Sequence, residues 1–338
     1  MLRRLHALMQ KTLAVRAERG PYRFLVRRWD KLSDLDLATR VLDTEFFAKE
    51  LQPLSLPIAK LRSILVLAPH QDDEAIGAGG SLLLAAAAGV KIDVLYVTDG
   101  AAKNPTYATD TADSIRIRSE EAQSACSKLN ASMYRLDMSN LDPKPSLFHL
   151  ERLSEIINTL NPQVIMMPWI LDSPAKHRLL NHLLWLADRY RGLPDCEIWG
   201  FQVHNTLLPN GYVDITEVAD RKLELLRCFK SQNEFGQRYD HLAMGLSAWN
   251  ARFLERSNKP RYVEVFFTLP LRELFRLVES FYFRDLRSTY RGESKVIEGI
   301  QSLHRIVIDR RARERKNGGS GTVGRDSHSV TLSKTKTV

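Results

Sequence analysis

The sequence predicts an α/β fold: a Rossmann-like, mostly parallel sheet flanked by helices, with helical extensions at the N- and C-terminal ends. Two observations carry this reading. Short β-rich apolar runs alternate with longer stretches of helical periodicity through the middle of the chain. The 338 residues are 44% apolar, enough for a sizeable core in one large domain or in one domain with extensions.

The elements follow in order. Ser63–Ala68 (SILVLA) reads as a buried strand, and Ala75–Ala88 as a helix opened by glycines. Lys91–Thr98 is a second strand, Thr111–Leu129 a helix and Ser132–Leu136 a third strand. Leu147–Leu160 is helical, Pro162 closes it, and VIMMP (Val164–Pro168) is a fourth strand. His177–Tyr190 reads as a helix, Glu197–Val203 as a strand, Val218–Phe229 as a helix and Arg261–Thr268 as a strand. From Leu271 the pattern turns helical, with Leu274, Phe275, Val278, Phe281 and Tyr282 on one face. That face is expected to pack on the core or on the N-terminal helices, with a membrane-facing role as the alternative. The chain therefore divides into a basic helical N-terminal extension (1–58), a central α/β domain (59–270), a helical C-terminal extension (271–316) and a disordered Gly/Ser/Thr-rich tail (317–338).

Charge is uneven. The net +9 arises from residues 1–28, at +7, and residues 305–338, at +6, leaving −4 for the body. The basic C-terminal stretch has no aromatics, the N-terminal one only Tyr22 and Phe24, and the body is acidic, so nucleic acid is not an expected partner. The N-terminal stretch has Leu2, Leu5, Leu8, Met9 and Leu13 at roughly helical spacing among basic residues. It reads either as a helix packed on its own domain or as one lying on an anionic membrane surface. Lys11 and Arg16 interrupt any signal-peptide core, and the longest apolar run, Leu82–Val90, is too short to span a bilayer. Cys126, Cys196 and Cys228 are widely spaced, which fits a reducing compartment. The expected location is cytoplasmic, or peripheral to the inner face of a membrane.

The stretch APHQDDEAIGAGG (68–80) crowds His70, Asp72, Asp73 and Glu74 directly after the first strand. In an open α/β sheet that position lines the ligand crevice. His70 and Asp73, three apart on a tight turn, suit two ligands of one ion. A catalytic zinc takes three such ligands and keeps a position for water. Asp72 between them would be the carboxylate that takes a proton. The competing reading is a charged helix N-cap.

APHQDDEAIGAGGSLLLAAAAGVKIDVLYVTDG resembles the opening of the LmbE/PIG-L family of zinc-dependent N-deacetylases, with its (P/A)HPDDE, GG and TDG motifs. Arg118 and Glu121 match an RxxE; VIMMPWILD matches the strand before the second metal motif; FQVHNTLLPNGYVDIT, Lys222, Ser231-Gln232 and YVEVF follow in family order, from about residue 60 to 268. The resemblance implies removal of an N-acetyl group from an amino sugar in a glycolipid, polysaccharide or secondary-metabolite pathway. It implies Zn2+ held by His70, Asp73 and His177, with Asp72 as base and a water on the zinc as nucleophile. Iron or cobalt also suits this donor set. The basic ends fit a lipid- or phosphate-linked sugar.

The family's HPDH segment reads Pro174-Ala175-Lys176-His177 here, so its first histidine is absent. Ser173 and Pro174 look like a helix N-cap and first position. Asp172, Lys176 or His204 could take over stabilisation of the transition state. Asp99 reads either as a crevice residue or as a turn former before Gly100, and Arg118 either as a substrate contact or as the partner of Glu121. Trp169 and Trp199 read as sugar-stacking or as core. His182 points to another face and reads as structural. The alternative to an enzyme is a catalytically impaired, zinc-containing sugar-binding or complex-forming relative.

Overall fold

The computed structural model describes residues 53–317 except 104, 105 and 256, together with 36, 37, 40, 41 and 44; for 311–317 only the backbone is described. The expected N-terminal basic helix and the C-terminal tail beyond 317 lie outside the described residues. The strands are β1 (Leu54–Ser55), β2 (Ser63–Ala68), β3 (Lys91–Thr98), β4 (Ser132–Met138), β5 (Val164–Pro168), β6 (Glu197–Phe201), β7 (Gly211–Asp214) and β8 (Val263–Pro270). The helices are α1 (Asp73–Ala87), α2 (Thr111–Lys128), α3 (Leu147–Leu160), α4 (Ala175–Arg191), α5 (Ala219–Leu226), α6 (Lys230–Asn233), α7 (Tyr239–Asn250), α8 (Leu271–Phe281), α9 (Leu286–Thr289) and α10 (Ser294–Asn317).

The strands form one sheet in the order β1-β7-β8-β6-β5-β2-β3-β4. Neighbours are parallel except β8, which runs antiparallel to β6 and β7. The chain progresses from β2 through β3 to β4 on one side, and β5 lies on the other side of β2. The order reverses between β2 and β5, and such a reversal opens a crevice at the strands' carboxyl ends.

Alternation along β2 assigns its residues to two cores, as a strand's period of two requires. Ile64, Val66 and Ala68 pack with α1, α2 and α5, whereas Leu65 and Leu67 pack with α3, α4, α8 and α10. Helix α1 lies close against its neighbours. A Cβ at Gly77 would sit 2.1 Å from the Phe201 ring, and one at Gly80 2.7 Å from Ile215. Trp169 and Trp199 are both buried in the core, so neither stacks on a sugar.

A buried ion pair pins α1 to β8. Lys222 Nζ lies 2.7 Å from Glu264 Oε1 and donates to Ile76 O and Ser247 Oγ, each at 3.1 Å. The Glu264 oxygens accept the N–H groups of Gly80 and Ser81 at 2.8 and 2.7 Å. Every charge here has a partner, which is the condition for keeping charge inside a core.

The apolar face read from Leu271 onward packs on the domain. Leu274, Val278, Phe281 and Tyr282 are buried, as are Val296, Ile300, Leu303 and Val307 of α10. Leu37 and Val41 join the same core. Helix α10 lies along α4, where His182 Nδ1 is 2.7 Å from Tyr290 Oη and its Nε2 is 2.8 Å from His304 Nε2. Burial holds His182 well below its ordinary pKa, and His304 at about 4.

Two outcomes are expected. Glu264→Ala strands Lys222 and two amides, and should cost about 3–5 kcal/mol in denaturant unfolding. For His304 the unfolded chain binds more protons than the folded one between pH about 6.5 and about 4, so stability falls as pH drops through that window. A melting series from pH 7 to 4 should therefore show a shallower decline for His304→Phe than for the parent chain.

Candidate metal centre and active-site cavity

Chain reversal after β2 fixes the first half of the site. Thr98 at the end of β3 donates its N–H and its hydroxyl to Pro69 O, at 3.1 and 2.7 Å. Gln71 Nε2 donates back to Thr98 O at 2.8 Å. The turn then enters α1 through Asp72, whose φ is 150°. A non-glycine residue there carries about 1–3 kcal/mol of strain and persists only where its surroundings hold it. Here Asp72 O accepts from Ala75 N and Ile76 N at 3.0 and 2.9 Å, and Asp72 N faces Glu74 Oε2 at 3.3 Å. The Asp72 carboxylate makes no capping bond to the helix. It turns into the cavity, where Arg118 Nη2 lies 3.4 Å from Oδ1. The N-cap reading of this side chain therefore does not hold.

The second half follows β5. Helix α4 begins at Ala175 with Pro174 as its N-cap, one position later than a Ser173 cap with Pro174 at the first turn would give. His177 thus sits at the third helical position. His177 Nδ1 is 3.1 Å from Asp172 Oδ2, which leaves Nε2 facing the β2 turn.

The three donor atoms form a nearly equilateral triangle. His70 Nδ1 to Asp73 Oδ2 is 3.3 Å, His177 Nε2 to Asp73 Oδ2 is 3.4 Å, and His177 Nε2 to His70 Nδ1 is 3.3 Å. Donors about 2.0–2.2 Å from one ion at tetrahedral angles stand about 3.3–3.5 Å apart, so the edges fit zinc or a similar divalent cation. The link from Asp172 to the ligand's other ring nitrogen is the usual orienting contact of a metal-binding histidine.

Electrostatics favour a cation at the triangle. Burial lowers the His70 pKa to about 4 despite Asp73, keeping the ring neutral as a ligand must be. Burial also works against charge on Asp73, but the imidazoles of His177 and His70 overcome it and hold the carboxyl far below its usual range. At His177 burial is outweighed by Asp73 and Asp172, and its pKa rises. Burial lifts Asp72 to about 7 against the pull of Arg118. Glu74, lifted to about 8 by burial, accepts from Tyr96 Oη at 2.7 Å behind the site.

A cavity of about 200 Å³ opens over the triangle. Its walls include Asp72, Arg118, Asn140, His204, Gln232 and Tyr239. The sequence-predicted site residues divide accordingly. His70, Asp72, Asp73 and His177 converge, and Arg118 and His204 face the cavity. Arg118 is not paired with Glu121, whose oxygens instead accept Ser231 N and Oγ at 2.6 and 2.7 Å. Asp99 Oδ1 accepts from Ala101 N and Asn140 N, both at 2.9 Å, so its carboxylate shapes the turn. Asp172 is wholly buried behind His177. Lys176 Nζ donates to Asn140 O at 2.9 Å and to its side-chain oxygen. Asn140, Tyr107 and Tyr239 line the cavity without having been anticipated. Asn140 stands just past the carboxyl end of β4, and that position was its available signal.

The fold and the donor set define a class: α/β proteins with a His/Asp/His triangle suited to a divalent cation at the switch point of a mostly parallel sheet. Residues 65–187 match the family model PIG-L, described as GlcNAc-PI de-N-acetylase. It is 26% identical over 192 residues to diacetylchitobiose deacetylase of Thermococcus kodakarensis, covering 52% of this chain and 72% of that protein. It is 24% identical over 205 residues to 4-oxalmesaconate hydratase of Pseudomonas putida, covering 54% and 79%. The fold is similar to N,N'-diacetylchitobiose deacetylase of Pyrococcus horikoshii, with a TM-score of 0.55, 22% identity, and coverage of 70% of this chain and 93% of that one.

Asp172→Asn should weaken metal binding about 10- to 100-fold, with the fold retained. Competition against a chromophoric chelator measures it, alongside the melting temperature.

Proposed function

We propose that this protein is a metal-dependent hydrolase that releases acetate from an N-acetylated amino sugar. The observation that carries the proposal is the triangle of His70, Asp73 and His177 with the buried Asp72 carboxylate beside it, at one cavity wall. These three residues would hold the ion, with Zn2+ as the assigned metal. A bound divalent cation supplies two things: it makes a water easier to deprotonate and it polarises an acyl oxygen.

The chain's own residues supply the rest. Asp72 takes a proton from the attacking water and returns it to the amine nitrogen as the C–N bond breaks, giving acetate and a free amine. Arg118 Nη1 is buried with no hydrogen-bond partner among the described residues, and the side chain faces the cavity; it is assigned to a substrate oxygen. Asp99 and Lys176 act at one remove, by fixing the Asn140 wall. The relatives named as deacetylating diacetylchitobiose support an amino-sugar substrate. A glycolipid, polysaccharide or secondary-metabolite intermediate fits, and the basic chain ends match a lipid- or phosphate-linked one. No helix among the described residues is long and apolar enough to cross a membrane.

The likeness to a hydratase favours a second reading, in which the same metal and base add water across a conjugated C=C bond. Acetate release from a panel of N-acetyl sugars separates the two, because the hydratase reading gives none. Chelation should abolish turnover and Zn2+ restore it. Asp72→Asn should keep the bound metal and lose about 100- to 10,000-fold in rate. Unchanged turnover in this variant would remove Asp72 from the mechanism.

A further inference from the structure

We infer that His204 is the residue that donates a hydrogen bond to the substrate's acyl oxygen as negative charge develops on it; this rests on the deacetylase reading above. Water attack forms a C–O bond at the acyl carbon, and the carbonyl π pair moves onto the acyl oxygen. The water's proton goes to Asp72 and then to the departing nitrogen. The oxyanion needs a donor that keeps its own proton throughout, and an imidazole N–H at the cavity wall meets that need.

The geometry favours His204 over Asp172, Lys176 and Arg118. Both oxygens of Asp172 are engaged, Oδ2 by His177 Nδ1 at 3.1 Å and Oδ1 by the main-chain N–H groups of His204 and Asn205 at 3.0 and 2.7 Å. Lys176 spends its ammonium on Asn140 and is not part of the cavity wall. Arg118 directs Nη2 toward Asp72, and its Nη1 is assigned above to a different substrate oxygen. Pro174 has no donor to offer. His204 lines the cavity, with its ring centroid 5.2 Å from that of His177, and Tyr239 lies edge-on to it at 6.2 Å.

Its placement is built rather than incidental. One buried carboxylate, Asp172, fixes the His177 ring through one oxygen and the His204 main chain through the other. Asn205 Nδ2 anchors the same loop by donating to Leu171 O at 2.9 Å. The separation of the metal-binding imidazole from the cavity-facing one is thus set by a single group. That is the preorganisation a transition-state donor requires, because it reorganises nothing during reaction.

The test uses the zinc-loaded full-length protein, as His204→Ala and His204→Gln beside the parent, with metal content and melting temperature recorded for each. With an N-acetyl sugar that the parent hydrolyses, His204→Ala should lose about 100- to 1,000-fold in kcat with little change in KM. Added imidazole should restore part of the loss, and His204→Gln, which keeps an N–H, should regain at least about 10-fold. A methylphosphonamidate analogue of the substrate, titrated calorimetrically, should bind His204→Ala more weakly by a factor similar to the kcat loss. A kcat within about threefold of the parent overturns the inference, and so does a loss confined to KM or one traced to missing zinc. If the parent releases no acetate from any N-acetyl sugar, the deacetylase reading fails and takes this inference with it. An active parent with a fully active His204→Ala defeats the inference alone.

Discussion

Parallel pairing of β2 with β5 is the constraint on which the rest depends. Ile64, Leu65 and Val66 align with Val164, Ile165 and Met166, and that register sets the two following loops side by side. His70 and His177, 107 positions apart in sequence, meet because the strands before them are neighbours pointing the same way. The strands are apolar and buried, so the sheet has no freedom to slip without exposing one of its two cores. The polar site is therefore placed by the most apolar part of the molecule.

That placement crowds charge where water is scarce. Asp72, Asp73 and Glu74 are all buried, and Asp172 is too. An interior tolerates this only when each charge is matched or neutralised. Asp73 is matched by two imidazoles, Asp172 by one imidazole and two amides, and Asp72 in part by Arg118. Glu74 is raised to about 8 by burial and sits against a tyrosine hydroxyl. A cation at the centre would complete the balance among these buried carboxylates.

Much of this was legible in the residues. The run SILVLA followed by HQDDE announced a buried strand ending at a charged turn, and the elements from Ser63 to Pro168 lie within two residues of expectation. The triad depended on topology that periodicity cannot show, and the resemblance of short motifs supplied that link. What stayed hidden has physical causes. Helix α7 shows no apolar period because its buried face carries small and polar residues, Asp240, Ala243, Ser247 and Asn250, while Leu242 and Trp249 are exposed. Short β7 borrows its order from β8 beside it. The partners of Arg118 and Glu121 could not be read from their i, i+3 spacing. Burial gives Arg118 to Asp72 and Glu121 to Ser231, and a local pair forgoes both contacts.

Helix α4 joins two regions with different duties. Its first turn carries His177, while His182 and Trp185 further along sit against the segments from Tyr282 to His304. The residues beyond 270 are thus a buttress behind a ligand-bearing rod. A chain trimmed to the sheet domain would retain all three donors and Asp72, yet leave one flank of that rod bare to water. Its imidazole would then swing on an unsupported lever, and the grip on the ion would slacken without any change in the residues that touch it.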